Sequence, residues 1–297
     1  MSKAAHGDER FRFGTVGAPA STPKNGGSAG GVARIRELNL SALELAWVQS
    51  VRVSDETCAH IRAMAEENDV ALSVHAPYFI NLNALSDELW QAGRERLLAA
   101  ARAGWKAGAT DIIFHPGSYM KADPVAARAI AHDRLAEVRD TLNREANPVI
   151  LRPETMGKRA LLGTLEETLA WSQSIEGVLP CIDFAHLHAR AGDGSFNSLA
   201  EFKAALMLVK QALGARGMDA LHIHFSGIAY NEKGERHHLI LAEADVNYKA
   251  LFQALAESGG RGRVMGESPN QELDAIVMQN TFRSALQRVR RGTAASE

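Results

Sequence analysis

Histidine, aspartate and glutamate recur in this chain at one kind of position: the end of a short apolar run, just before turn residues. Residues 111–119, Asp-Ile-Ile-Phe-His-Pro-Gly-Ser-Tyr, are the plainest case. There Ile112, Ile113 and Phe114 have the content of a buried strand and lead to His115 and a Pro-Gly turn. The same pattern gives His75, Glu154, Asp183 with His186, His222 or His224, Glu235 with His237, and Glu267. Imidazole nitrogens and carboxylate oxygens are ligands that zinc and manganese accept. So many carboxylates in one place without cations would be electrostatically costly, and a metal centre is the simplest compensation. A single catalytic zinc uses about three protein ligands and a water. Nine candidates, counting one of the two neighbouring histidines at 222 and 224, therefore suit two or three ions. Multinuclear sites of this kind are typical for phosphate-ester hydrolysis, where the ions activate water and stabilise the attacking and leaving oxygens. A phosphodiester substrate is the expectation.

These side chains converge only if the strands carrying them share one end. Phe11 to Val16 reads as a first strand, followed by a Gly-, Ser-, Thr- and Pro-rich loop up to about Gly31. That loop has neither the GxxxxGK[ST] nor the GxGxxG spacing, so a nucleotide cradle is disfavoured. A helix-like stretch, Val32 to Glu37, precedes a second strand at Ala42 to Val48. A strand–helix rhythm then sets in. Val70 to Val74 ends at His75, Asp87 to Ala107 reads as a long helix, and Ile112 to Phe114 ends at His115. Pro124 to Glu145 is helical with proline in its first turn, and Val149 to Leu151 leads to Glu154. The next helix opens at Thr164, with Glu167 three residues on as a capping box. Val178 to Ile182, a helix near Leu199–Leu213, and Leu221 to Phe225 follow. A polar loop carries Glu235, His237 and His238; a helix near Val246–Ala256, the strand Arg263 to Met265 and a final helix from Glu272 complete the chain.

Alternating units of this kind imply a parallel sheet, and about eight of them in about 250 residues fit a (β/α)8 barrel. One α/β domain over residues 11–290 is expected, between a disordered tail at 1–10 and a short tail at 291–297. A doubly wound open sheet is the alternative. In such a barrel, ligand-bearing residues sit at the carboxyl ends of the strands.

Composition agrees with a soluble enzyme. The 297 residues are 46% hydrophobic and 23% charged, and no apolar run approaches the roughly 20 residues that span a membrane. The N-terminus lacks a signal pattern, so a cytoplasmic protein without membrane contact is expected. Cys58 and Cys181 are far apart and read as buried thiols rather than a disulfide or zinc-thiolate pair. A net charge of −2 argues against holding nucleic acid by bulk electrostatics alone, but leaves room for local positive charge from bound ions. Arg283, Arg288, Arg290 and Arg291 read as the polar face and end of the last helix.

Four segments, His75-Ala-Pro-Tyr-Phe-Ile-Asn-Leu, Phe114-His-Pro-Gly-Ser, Cys181-Ile-Asp-Phe-Ala-His and Glu235-Arg-His-His, resemble the signature segments of the endonuclease IV family. They occur in the family's order with similar spacing, between about Val70 and Asn270. The resemblance implies a TIM barrel with two or three zinc ions, manganese being acceptable at one site. It also implies an apurinic/apyrimidinic endonuclease that cuts double-stranded DNA 5′ to abasic sites in base excision repair. Carried over, His75, His115 and Glu154 would hold a first zinc, with Glu154 bridging to a second. Asp183, Glu267 and one of His222 and His224 would complete the second site; His186, Glu235 and His237 would form the third. Glu154 and Glu267 are the expected catalytic carboxylates. Tyr78 and Phe79 match the position from which the family inserts side chains into DNA, and Arg52 is a candidate contact of the same kind. A monomer is expected.

The chain departs from the family pattern in three places. Glu235 stands where the family usually has Asp, which makes a third ion less secure than the first two. His222 and His224 share one side-chain parity, and proximity to the strand end favours His224, with His222 beside it. Leu151-Arg-Pro-Glu-Thr is not the family's commonest form around its bridging Glu. The main rival is a single-metal sugar isomerase or epimerase of the xylose-isomerase-like type, using Glu154, Asp183, His224 and Glu267. It would leave His75, His115, His186 and His237 surplus. A metal-bound barrel that binds damaged DNA without cutting it is a second rival. His188 reads as a neighbour of the Asp183–His186 pair, and His238, His132, His60 and His6 as surface residues.

Overall fold

Along each strand, successive side chains enter two different environments, because a β-strand turns its residues to alternate faces. A computed structural model describes residues 10–294; His6, residues 1–9 of the expected first tail and 295–297 of the last lie outside the described residues. The elements run β1 (Phe11–Val16), α1 (Gly27–Glu37), β2 (Ala42–Ala46), α2 (Asp55–Asn68), β3 (Ala71–His75), α3 (Asp87–Lys106), β4 (Asp111–Phe114) and α4 (Pro124–Arg144). Then come β5 (Ile150–Pro153), α5 (Leu165–Ser174), β6 (Cys181–Asp183), α6 (Phe184–Ala191), α7 (Leu199–Met218) and β7 (Leu221–Phe225). A hairpin, β8 (Gly227–Asn231) with β9 (Gly234–Leu239), precedes α8 (Tyr248–Ser258), β10 (Gly262–Gly266) and α9 (Glu272–Ala294). Apart from the hairpin the strands form one parallel sheet in the order β5-β4-β3-β2-β1-β10-β7-β6. Parallel bridges from Leu151 to Val178 and from Glu154 to Cys181 bring its two edges together. The result is a single-domain (β/α)8 barrel.

The apolar core lies outside the barrel wall, between strands and helices. Leu43, Leu45, Leu72, Val74, Ile112, Phe114, Ile223 and Phe225 all belong to it. Phe11 packs edge-on to Phe282 of α9 at 5.2 Å, and Phe13 meets Phe252 of α8 at 6.0 Å. Burial of each such side chain is worth about 1.5–3 kcal/mol. The opposite parity is polar and equally buried: Glu44, Ser73, Arg152, His222 and His224. Glu44 on β2 touches His222 and His224 on β7, two strands that are not sheet neighbours, so these contacts cross the barrel interior.

Helix starts are written into local sequence. Ser54, Ser86, Thr164 and Ser198 accept hydrogen bonds from backbone N–H groups of the first turns. The expected capping box of Thr164 with Glu167 is formed, and Pro124 opens α4 as expected. Sequence patterning missed α2 and α6, started α1 five residues late, and read the hairpin as a loop. Strand six runs regularly only from Cys181; before it Val178 bridges Leu151 in isolation, and Pro180 has no N–H to continue the ladder between them. Among the described residues no helix is long and apolar enough to cross a membrane.

Candidate metal centre

The carboxyl ends of the strands deliver ligands from many directions to one place. His75 ends β3, His115 follows β4, Glu154 follows β5, Asp183 ends β6 and Glu267 follows β10, while His224 stands within β7 and His186 in the first turn of α6. Three adjoining groups form, each with donor atoms within 4.8 Å of one another. They are His75–His115–Glu154, Glu154–Asp183–His224–Glu267, and His186–Glu235–His238. Glu154 sits between them. Its Oε2 lies 3.5 Å from His75 Nε2 and 3.3 Å from His115 Nε2, and its Oε1 lies 3.2 Å from His186 Nδ1 and 3.5 Å from His224 Nδ1. Glu267 Oε1 is 3.5 Å from His224 Nδ1, and Glu235 Oε2 is 3.6 Å from His186 Nε2.

Hydrogen bonds behind the ligands set their ring orientations. The Nδ1 atoms of His75, His186 and His238 meet Ala76 O at 2.9 Å, Thr155 O at 2.9 Å and Ser226 Oγ at 2.8 Å. Each ring thereby leaves its Nε2 as the free donor. His224 is reversed, with Nε2 3.1 Å from Glu44 Oε1 and Nδ1 toward the cluster. Asp183 does two jobs. Its Oδ1 accepts from His186 N at 2.8 Å and caps α6, while Oδ2 is left facing the site.

Both Glu154 oxygens, Asp183 Oδ2, His186 Nε2 and His224 Nδ1 are buried without a hydrogen-bond partner. Such atoms cost about 1–3 kcal/mol each, and cations among them would remove that cost. Electrostatics agree. Burial pushes the Asp183 carboxyl up to about 6, with Glu267 and Glu154 adding to the rise despite the opposing charge of His186. Nitrogen and oxygen donors in this number fit divalent metal ions.

Expected residues are not all placed alike. The hairpin brings His238, not His237, beside Glu235 and His186; His237 is exposed. Pairing of Ala229 with His237 and of Tyr230 with Glu235 leaves Arg236 as an extra residue, a β-bulge. A bulge reverses parity, so residues three apart share a face there and residues two apart do not. His222 lies deeper than the three groups, with Nε2 3.0 Å from Glu44 Oε2, and forms a separate set with His224 and Cys181. His188 is used up structurally by Phe196 O and Asp245. Tyr78 stacks on His115 at 5.0 Å and is 46% exposed; Phe79 is 62% exposed. Tyr78 N donates to Val48 O at 3.0 Å, which ties this tip to the loop bearing exposed Arg52.

Glu44 is the residue the sequence reading missed. Ser73 Oγ donates to it at 2.7 Å. Burial alone would raise its carboxyl, but the charge of His224 and hydrogen bonds from His222 and His224 outweigh this and hold it well below the usual range. The signal was a single glutamate inside the apolar run Ala42-Leu-Glu-Leu-Ala46. Two glycines admit the loops: at Gly117 (φ +111°) a Cβ would sit 2.1 Å from Asn81 Oδ1, and at Gly157 one would sit 2.7 Å from Glu235 Cβ.

Comparison with known proteins gives the class. Residues 32–291 match the family described as xylose isomerase-like TIM barrel, and the chain belongs to that family. An uncharacterized protein of Methanocaldococcus jannaschii is 34% identical over 270 residues, covering 91% of this chain and 96% of that one. A probable endonuclease 4 of Geobacillus sp. is 29% identical over 210 residues, 67% of each chain. Among solved structures, endonuclease IV from Thermus thermophilus superposes with a TM-score of 0.69 at 19% identity, covering 92% of this chain and 99% of that one. A D-tagatose 3-epimerase-like protein gives 0.69 at 18% identity, covering 95% and 100%. These structural likenesses show the fold alone.

Proposed function

We propose that this protein is a metal-dependent phosphodiesterase of the endonuclease IV type, cutting double-stranded DNA 5′ to abasic sites in base excision repair. The observation that carries this reading is the three adjoining donor groups joined by Glu154. A single-metal barrel needs Glu154, Asp183, His224 and Glu267; His75, His115, His186, Glu235 and His238 extend the donors well beyond that set. When bound, two or three zinc ions, with manganese acceptable at one site, supply an activated water and positive charge for a phosphate. The chain's own residues prepare the place. Glu154 presents both oxygens to neighbouring groups, Glu44 fixes the ring of His224, and Glu267 closes the group beside it. Tyr78, Phe79 and Arg52 form the rim from which lesion DNA would be held.

The test is elemental analysis of protein purified without chelator, followed by nicking of an abasic duplex. Two or three ions per chain and a cut 5′ to the lesion are expected; an inactive protein with all three groups loaded would sink the reading. Glu154→Gln should lose at least about 10²-fold in rate, with the far-ultraviolet circular dichroism of the folded chain unchanged. The epimerase reading keeps one specific support, the Glu154–Asp183–His224–Glu267 quartet in a single group. One ion per chain together with ketose epimerisation would establish it instead.

A further inference from the structure

The three donor groups are not built alike. His75, His115, Glu154, Asp183, His224 and Glu267 come from barrel strands or the residues just after them. In the group His186–Glu235–His238, one donor comes from α6 and two from β9 of the hairpin, which forms a sheet of its own. An isolated two-stranded hairpin is marginally stable at best. The separation of His186 from the other two donors therefore depends on what docks the hairpin against α6. Asp245, in the segment after the hairpin, touches both. Its Oδ1 lies 3.1 Å from Nε2 of His188 on α6, and its Oδ2 accepts from the Tyr230 hydroxyl on β8 at 2.6 Å. His188 is fully buried and stands two residues from His186, while Tyr230 pairs with Glu235 across the hairpin. The rings of His188 and Tyr230 meet edge-on at 4.9 Å.

We propose that Asp245 is a positioning residue of this third group: by joining His188 and Tyr230 through one carboxylate it sets His186 against Glu235 and His238, and so governs how tightly a divalent ion is held there. The proposal rests on reading the three groups as metal sites. Asp245 is itself held in place, since Asn197 Nδ2 donates to its carbonyl at 2.9 Å and Asn197 Oδ1 accepts from Asn247 N at 2.6 Å. The remaining contacts divide the work. Ser226 orients the His238 ring, and Glu235 N donates to Gly157 O at 2.9 Å, which holds β9 to the loop after β5. Asp245 adds the link from β8 to the helix that carries His186.

The experiment is zinc titration of the full chain in competition with a chromogenic chelator, with thermal midpoints of the metal-free variants measured alongside. The unsubstituted protein should take up three ions. Tyr230→Phe removes one hydrogen bond to a charged group, so one ion should bind about tenfold more weakly while the other two are unchanged. Asp245→Ala should weaken that same ion further, until the purified chain carries two. Asp245→Asn should keep three, because its amide N–H can donate to His188 Nε2 while its oxygen accepts from Tyr230. Arg102→Gln breaks an exposed ion pair with Glu145 and should leave all three affinities in place. Three ions at unchanged affinity in both Tyr230→Phe and Asp245→Ala would overturn the proposal. So would an equal weakening of all three ions together with a lowered metal-free midpoint, since Asp245 would then support the fold at large. Fewer than three ions in the unsubstituted protein would remove the third site and the proposal with it, while leaving a two-ion reading of the centre in place.

Discussion

At the scale of single residues, the site depends on groups that no ligand list includes. Glu44 stands behind His224 as the carboxylate that orients a ligating imidazole. Glu44→Gln keeps the shape and removes the charge; metal affinity should fall about 10–100-fold, measured by competition with a chromogenic chelator. Unchanged affinity would reduce Glu44 to a packing residue. The two adjacent histidines of the hairpin provide a sharper contrast. His238→Ala should lose one metal equivalent per chain by elemental analysis, and His237→Ala should lose none. The reverse pattern would show that the hairpin pairs without its bulge when loaded. Tyr78→Ala should weaken binding to lesion DNA while leaving metal uptake intact, read by fluorescence anisotropy with an abasic duplex.

At the scale of elements, local caps do more than start helices. Glu167 completes the Thr164 capping box, accepts from Gly163 N at 2.8 Å, and takes the hydroxyl of Tyr119 at 2.8 Å. Tyr119 lies on the loop that follows His115, so the start of α5 also anchors a ligand-bearing loop. Glu167→Ala should destabilise the fold by about 2 kcal/mol, since several donors lose their acceptor together. Thr164→Ala should cost about 1 kcal/mol. Equal denaturation midpoints for the two variants would show that the Tyr119 bond contributes nothing.

At the scale of the whole molecule, ion groups stand at both ends of the barrel. Asp111 at the strand-start end is buried with Arg152 and Arg263. Burial alone would raise its carboxyl, but the two guanidinium charges outweigh this and hold it far below the ordinary range. A carboxyl lowered on folding contributes stability that is fully present above its unfolded value, about 4, and lost as the pH falls below that toward the folded value. Asp111→Asn should therefore cost about 3–5 kcal/mol near neutrality and flatten the loss of stability in acid. An unchanged acid limb in chemical denaturation would exclude this role. At the opposite end, zinc at 100 times its dissociation constant should stabilise the native chain by about 2.7 kcal/mol, seen as a rise in thermal midpoint that a chelator reverses.

The sequence by itself determined the barrel, its main strand order in the chain, and the residue types at the strand ends. Those follow from local apolar runs, turn residues and caps, each of which acts within a few neighbours. Thr164 with Glu167 and the placement of Pro124 were legible for that reason. Only the tertiary structure decided which donors share a group. Glu44 and the two β7 histidines lie on strands that never pair, and their contact exists because the sheet closes. His238 replaced His237 because one unpaired residue, Arg236, reverses the parity of β9, and a bulge leaves no mark in the residue pattern. Likewise Arg12, Arg152 and Arg263 stand on β1, β5 and β10, far apart in the chain, and only the barrel's circular order gathers them around one cavity.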